Sequence, residues 1–103
     1  MLKHCVFLNL KSPAEMDTVR EAMALLSGLV GDVAGMIDFF EGPNQDFEDR
    51  SHGYRHGFIV TFENRTAHLA YERHPDHVQA GALLVAACQG GMEGIFVADL
   101  ETS

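Results

Sequence analysis

The sequence predicts an α+β fold built on a four-stranded antiparallel sheet, and three observations predict it. Short apolar runs bounded by polar or glycine-containing turns recur at the start, middle and end of the chain. Between them lie stretches whose apolar residues repeat at steps of three and four. The strands carry apolar residues on both faces, while helices can cover only one. The element order is β-α-β-β-α-α-β, a variant of the split βαβ or ferredoxin-like arrangement. The uncovered sheet face calls for a second copy, giving a dimeric α/β barrel.

The elements follow in order. "HCVFLNL" reads as the first strand. "SPAE" after it is a capping box with proline at the first helical position: Ser12 caps, Pro13 needs no hydrogen bond there, and Glu15 reaches back. Met16, Val19, Met23, Leu26 and Val30 mark one apolar helix face, and Gly28 and Gly31 loosen its end. A second strand is expected over Gly35 to Gly42, followed by "PNQDFEDRSHG", polar and acidic enough to be a flexible loop. "YRHGFIVTFE" is the third strand. Asn64 can cap a short helix carrying Ala67, Ala70, Tyr71 and His74. Pro75 ends that helix but fits the first turn of another running towards Cys88. "GIFVADLE" closes the chain as the fourth strand.

Composition bounds the function. With 103 residues, 47% of them hydrophobic and 21% charged, residues 1–103 are expected to form one globular domain. The formal charge of −8 and seven scattered basic residues argue against nucleic acid or anionic lipid as partners. "MLKHCVFLNL" is too short and polar for a signal peptide, and no run is long enough to span a membrane. Cys5 and Cys88 are then expected to be free thiols, and the location cytoplasmic.

Alternation assigns the strand faces. Leu2, His4, Val6, Leu8 and Leu10 share one face of the first strand, opposite Cys5 and Phe7. Tyr54, His56, Phe58, Val60 and Phe62 share one face of the third, opposite Ile59. These His4 and His56 faces are the more apolar and are assigned to the helix side. Phe7, Ile59, Ile95 and Val97 are expected to form the surface between two copies.

The stretch "YERHPDHV" holds the chemistry. Histidines from two strands and from the junction at His74 to His77 can converge at one end of a cavity between sheet and helices. His77 falls in the first turn of its helix, where the macrodipole disfavours the imidazolium and Asp76 opposes it. Neutral His77 can then act as a base, with the Tyr71 hydroxyl donating to a developing oxyanion. His74 can equally cap the new helix, and His4 and His56 can be core histidines with satisfied hydrogen bonds. Pro75 keeps His74 and His77 from projecting together, and no closed ligand set is visible, so no metal and no cofactor are expected. His52 and His68 read as loop and surface residues.

"KHCVFLNLK", "EGPN", "YRHGFIVTFEN", "AYERHPDHV" and "VADLE" together resemble the stress-responsive A/B barrel domain (Dabb) over essentially the whole chain, Tyr-x-x-His-Pro-x-His being the most specific element. The resemblance implies a dimeric α+β barrel. Most members have no assigned function, some are very stable stress-induced plant proteins, and one is a cofactor-independent polyketide cyclase. In that cyclase the base maps to His77 and its supporting tyrosine to Tyr71, while histidines matching His4 and His56 line the pocket. The expected site is therefore His77 and Tyr71 as catalytic pair, with His4, His56, His74, Val6, Leu8, Phe58 and Val60 against a small apolar or polyketide-like ligand. Bulky Phe58 and Phe62 are expected to narrow the space. Two functions follow: a homodimer that binds a small molecule or serves in stress without turnover, or a cofactor-free cyclase or lyase that abstracts a proton next to a carbonyl. An open cavity ending at His77 would favour the enzyme, and a filled one the stability role.

Overall fold

A computed structural model describes residues 1–103. Strand β1 (Leu2–Leu8) leads through a 3₁₀ turn at Pro13–Glu15 into helix α1 (Met16–Ser27). Strands β2 (Met36–Pro43) and β3 (His56–Phe62) follow, then helices α2 (Arg65–Arg73) and α3 (Pro75–Ala87). A second 3₁₀ turn at Gly91–Gly94 precedes β4 (Ile95–Glu101). The sheet order is β2-β3-β1-β4 with every neighbouring pair antiparallel, which is the ferredoxin-like topology. No helix is long and apolar enough to cross a membrane.

Local chemistry sets the boundaries. Ser12 accepts from the Ala14 N–H at 3.2 Å, but the Glu15 carboxylate makes no bond back, so only half of the expected capping box forms. Val19, Ala22, Met23 and Leu26 are buried along α1. Val30 lies beyond its end and is exposed, a correction to the periodicity, which overran the Gly28 cap. At β2 the register slips between Met36 and Asp38, leaving Ile37 bulged and exposed. Gly35 just before it has φ +85°, and a Cβ there would stand 2.7 Å from the Ala67 side chain, so only glycine lets α2 approach.

The loop between β2 and β3 is a built turn rather than slack chain. Asn44 Oδ1 accepts from Asp46 N–H at 2.9 Å, and Asp46 Oδ1 accepts from Arg50 and Ser51 N–H at 2.9 and 3.1 Å. Asp46, Asp49 and His52 all take positive φ, which Asp and His adopt more readily than most residues. The residues that make the loop polar also order it.

Pleat alternation divides the sheet sharply. His4, Val6 and Leu8 of β1 and His56, Phe58, Val60 and Phe62 of β3 are buried beneath the helices. On the other face Phe40, Ile59, Phe96 and Leu100 stand exposed, with Phe7 laid over Gly57, whose missing Cβ would lie 2.7 Å from the ring. The β1–β4 register pairs Val6 with Val97 and Leu8 with Ile95. Ile95 and Val97 therefore belong to the helix side, and the outer face of β4 is Phe96, Ala98 and Leu100, which reverses the expected assignment of that strand. No sequence signal fixes which of two apolar alternations looks inward; the register does.

Candidate functional site

Between α2, α3 and the β1–β4 half of the sheet lies an open cavity of about 690 Å³. That falls within the roughly 300–1,000 Å³ usual for small-molecule sites. Val6, Phe58, Leu84, Val85, Ile95 and Val97 make most of its wall. His4, Arg65, His68, Tyr71, Glu72, His77 and Asp99 supply the polar groups.

The bend at His74 positions the helical part. His74 has ψ 135°, outside the helical range, as the residue before a proline requires. Its Nδ1 accepts from Asp76 N–H at 3.1 Å and its Nε2 donates to Asp32 Oδ2 at 2.7 Å. His74 is thus a helix cap tied to the turn after α1, and the structure does not bring it to the cavity. The break swings α3 so that His77 comes back over Tyr71, with ring centroids 4.5 Å apart. Tyr71 is fully buried, packs edge-on to Phe62 at 5.0 Å, and its hydroxyl has no hydrogen-bond partner. Burial raises the phenol well above its ordinary pKa, and the nearby Glu72 carboxylate adds to this. Burial likewise pushes the His77 imidazole down, outweighing the Glu72 carbonyl and carboxylate that favour its charged form. The opposing carboxylate is Glu72, one turn back on α2, and not the neighbouring Asp76.

The strands supply the opposite wall. His4 Nδ1 donates to Asp99 Oδ1 at 2.6 Å, the pair being set side by side by the β1–β4 register. His68, expected on the surface, is buried, with its ring 4.6 Å from that of His4. It stands one turn before Tyr71 on the same face of α2, so helical period alone could have found it. The Arg65 guanidinium contacts His68 Nδ1. His68 Nε2 lies 3.1 Å from Glu72 Oε1 but makes no hydrogen bond to it or to anything else. Burial lowers the His68 pKa, the neighbouring His4 lowers it further, and Glu72 and Asp99 oppose.

His4, Val6, Phe58, Tyr71 and His77 meet at the cavity. His56, Leu8 and Val60 do not. His56 sits opposite Leu8, four residues along the sheet from the His4 row, roughly 13 Å at strand spacing. There its Nε2 donates to Glu41 Oε1 at 2.7 Å. Leu8 and Val60 are fully buried core residues beneath α1 and its neighbours. Phe58 narrows the cavity, while Phe62 is consumed in packing under Tyr71. Ligand atoms of His4, His68 and Asp99 come within 4.8 Å of one another, a spacing a divalent ion could bridge. Charge disfavours it: Arg65 holds His68 Nδ1, and His4 and Asp99 already satisfy each other.

The stress-responsive A/B barrel model matches residues 2–102. The chain belongs to this family. Among curated Dabb proteins it is similar to the stress-response A/B barrel domain-containing protein At5g22580 of Arabidopsis thaliana, at 29% identity over 82% of this chain and 74% of that one. A dimeric ferredoxin-like protein of unknown function from Jannaschia sp. CCS1 superposes with TM-score 0.94 at 46% identity, covering 98% of both chains. A hydroxynitrile lyase from Passiflora edulis shares the Dabb architecture at TM-score 0.78 over 99% of this chain and 93% of its own, but only 22% identity, so that likeness is one of fold.

Proposed function

We propose that this Dabb chain works as a homodimer, paired through its outer sheet face, whose cavity binds a small, largely apolar molecule carrying an oxygen function. The observation that carries the ligand reading is Tyr71, a residue of the wall of an open apolar cavity whose buried hydroxyl has no hydrogen-bond partner. An unpaired buried hydroxyl costs roughly 1–3 kcal/mol, and an acceptor oxygen on a bound molecule relieves that cost. Exposed Phe40, Ile59, Phe96 and Leu100 support the pairing, as does the dimeric Jannaschia relative.

A second reading, proton abstraction next to a carbonyl without a cofactor, is favoured by one specific observation. His77 is held neutral by burial and lies against Tyr71, so a base and a hydroxyl donor share one end of the cavity. Attack on a C–H by the free imidazole nitrogen would leave an enolate oxygen within reach of the phenol. Binding is tested by screening small ketones, phenols and aldehydes against ¹⁵N-labelled protein. Saturable shifts at His77 and Tyr71 are expected. Shifts confined to the outer face, or none at millimolar concentration, would sink the reading. Deuterium uptake at the α-carbon of a bound ketone separates turnover from binding alone.

A further inference from the structure

We propose that His68 contacts the bound molecule by donating its Nε2–H to a neutral carbonyl or phenolic oxygen, and that Arg65 is the positioning residue that fixes this tautomer. The inference rests on the reading of the cavity as a small-molecule site.

The tautomer follows from donor chemistry. A guanidinium has five N–H donors and no acceptor, and it does not deprotonate in proteins. The ring nitrogen it touches must offer a lone pair, and in His68 that nitrogen is Nδ1. A neutral His68 then carries its hydrogen on Nε2. That atom is buried and has no hydrogen-bond partner. The Glu72 carboxylate at 3.1 Å lies off the N–H direction, and it is also 3.8 Å from Arg65. Two unpartnered buried donors, His68 Nε2–H and Tyr71 O–H, therefore belong to residues one helical turn apart that both line one cavity, their rings stacked at 29° and 6.3 Å. Unpaired buried donors are rare in folded proteins, and two at one cavity end point to an acceptor that arrives with the ligand.

The surrounding charge selects the acceptor. Asp99 and Glu72 both line the cavity, and Arg65 is engaged by His68 and Glu72. No free cation remains to neutralise a carboxylate or phosphate on the ligand. An uncharged oxygen is the group this site accommodates.

The test uses the intact protein with three probes of one shape: acetophenone, its oxygen-free analogue α-methylstyrene, and benzoate. Wild type is expected to prefer acetophenone to both. His68→Phe keeps the ring and removes the donor, and should lower the preference for acetophenone over α-methylstyrene roughly fivefold, the worth of one hydrogen bond. His68→Gln, which retains an N–H, should restore part of it. Arg65→Met leaves His68 in place. Its ring ¹⁵N shifts should move from the Nε2–H tautomer of wild type towards a mixture, and the preference should fall with them. A wild-type His68 in the Nδ1–H form overturns the inference without any variant, as does a preference unchanged in His68→Phe. Benzoate binding more tightly than acetophenone overturns the choice of a neutral oxygen. If neither neutral probe binds, the small-molecule reading itself falls; if both bind without oxygen preference, only the role of His68 falls.

Discussion

Tyr71 and His77 meet ring against ring, 4.5 Å between centroids, across a helix break that Pro75 enforces. The break gives the pair its function-like geometry. On one uninterrupted helix, residues six apart point about 120° away from each other, since each residue turns the helix by about 100°. Here one residue of extended backbone at His74 folds α3 back so that both side chains enter the same cavity.

Removing the Tyr71 hydroxyl should separate stability from function. Tyr71→Phe deletes an unpartnered buried polar group, so the ligand-free protein should gain about 1 kcal/mol in urea unfolding. Affinity for an oxygen-bearing ligand should fall at the same time. A loss of stability would show that the hydroxyl is already satisfied in the free protein.

His77→Ala should leave the fold and the dimer intact and reduce any proton transfer by roughly 10²–10⁴. The wild-type rate should be flat above the lowered pKa of His77 and decline as pH falls through it, because only the neutral imidazole accepts a proton. That limb lies below the ordinary value of 6.5. A limb above it, or an active alanine variant, would remove His77 from the base role.

The same histidines predict a direction for acid sensitivity. His68 and His77 both have folded pKa values depressed below the unfolded one, mainly by burial. Between those values the unfolded chain binds more protons, so stability is full above the unfolded pKa and is lost as pH drops through that window. Thermal melts from pH 7.5 to 5 should show this loss, each kcal/mol moving Tm by roughly 4–8 °C. The loss should shrink in the His68→Phe, His77→Leu double variant. An equal loss in both proteins would place the sensitivity elsewhere.

The outer and inner faces of the sheet should respond differently to substitution. Ile59→Asp sets a charge in the exposed apolar face and should yield a monomer, or unfolded chain, by light scattering at micromolar concentration. Val97→Ala widens the cavity and should leave the mass unchanged. Monomeric wild type would end the dimer reading, and a dissociated Val97→Ala would return that residue to the interface.

Much of this was legible in the residues. Pro75 after a helical pattern forces the α2–α3 break, and strand alternation puts His4 and His56 under the helices. What alternation cannot provide is position along a strand relative to other elements. His4 and His56 share a face but sit at different rows, and only the pairing of His4 with Val60 and of Leu8 with His56 separates them. Asp99 is invisible for the same reason: its meeting with His4 is a matter of register between strands 95 residues apart. His68 was missed differently, because a histidine in a mean-polar helix reads as surface unless its spacing to Tyr71 is weighed.

The alternation along β1 and β4 has a thermodynamic consequence. His4 and Asp99 face the cavity, while Cys5 and Ala98, their direct neighbours in the same paired strands, face outward. A molecule held in the cavity and a second chain on the outer face would thus act on one shared ladder of hydrogen bonds. Any free energy of coupling between them must be reciprocal: whatever a ligand does to the self-association constant, dilution must do, by the same factor, to the affinity for that ligand.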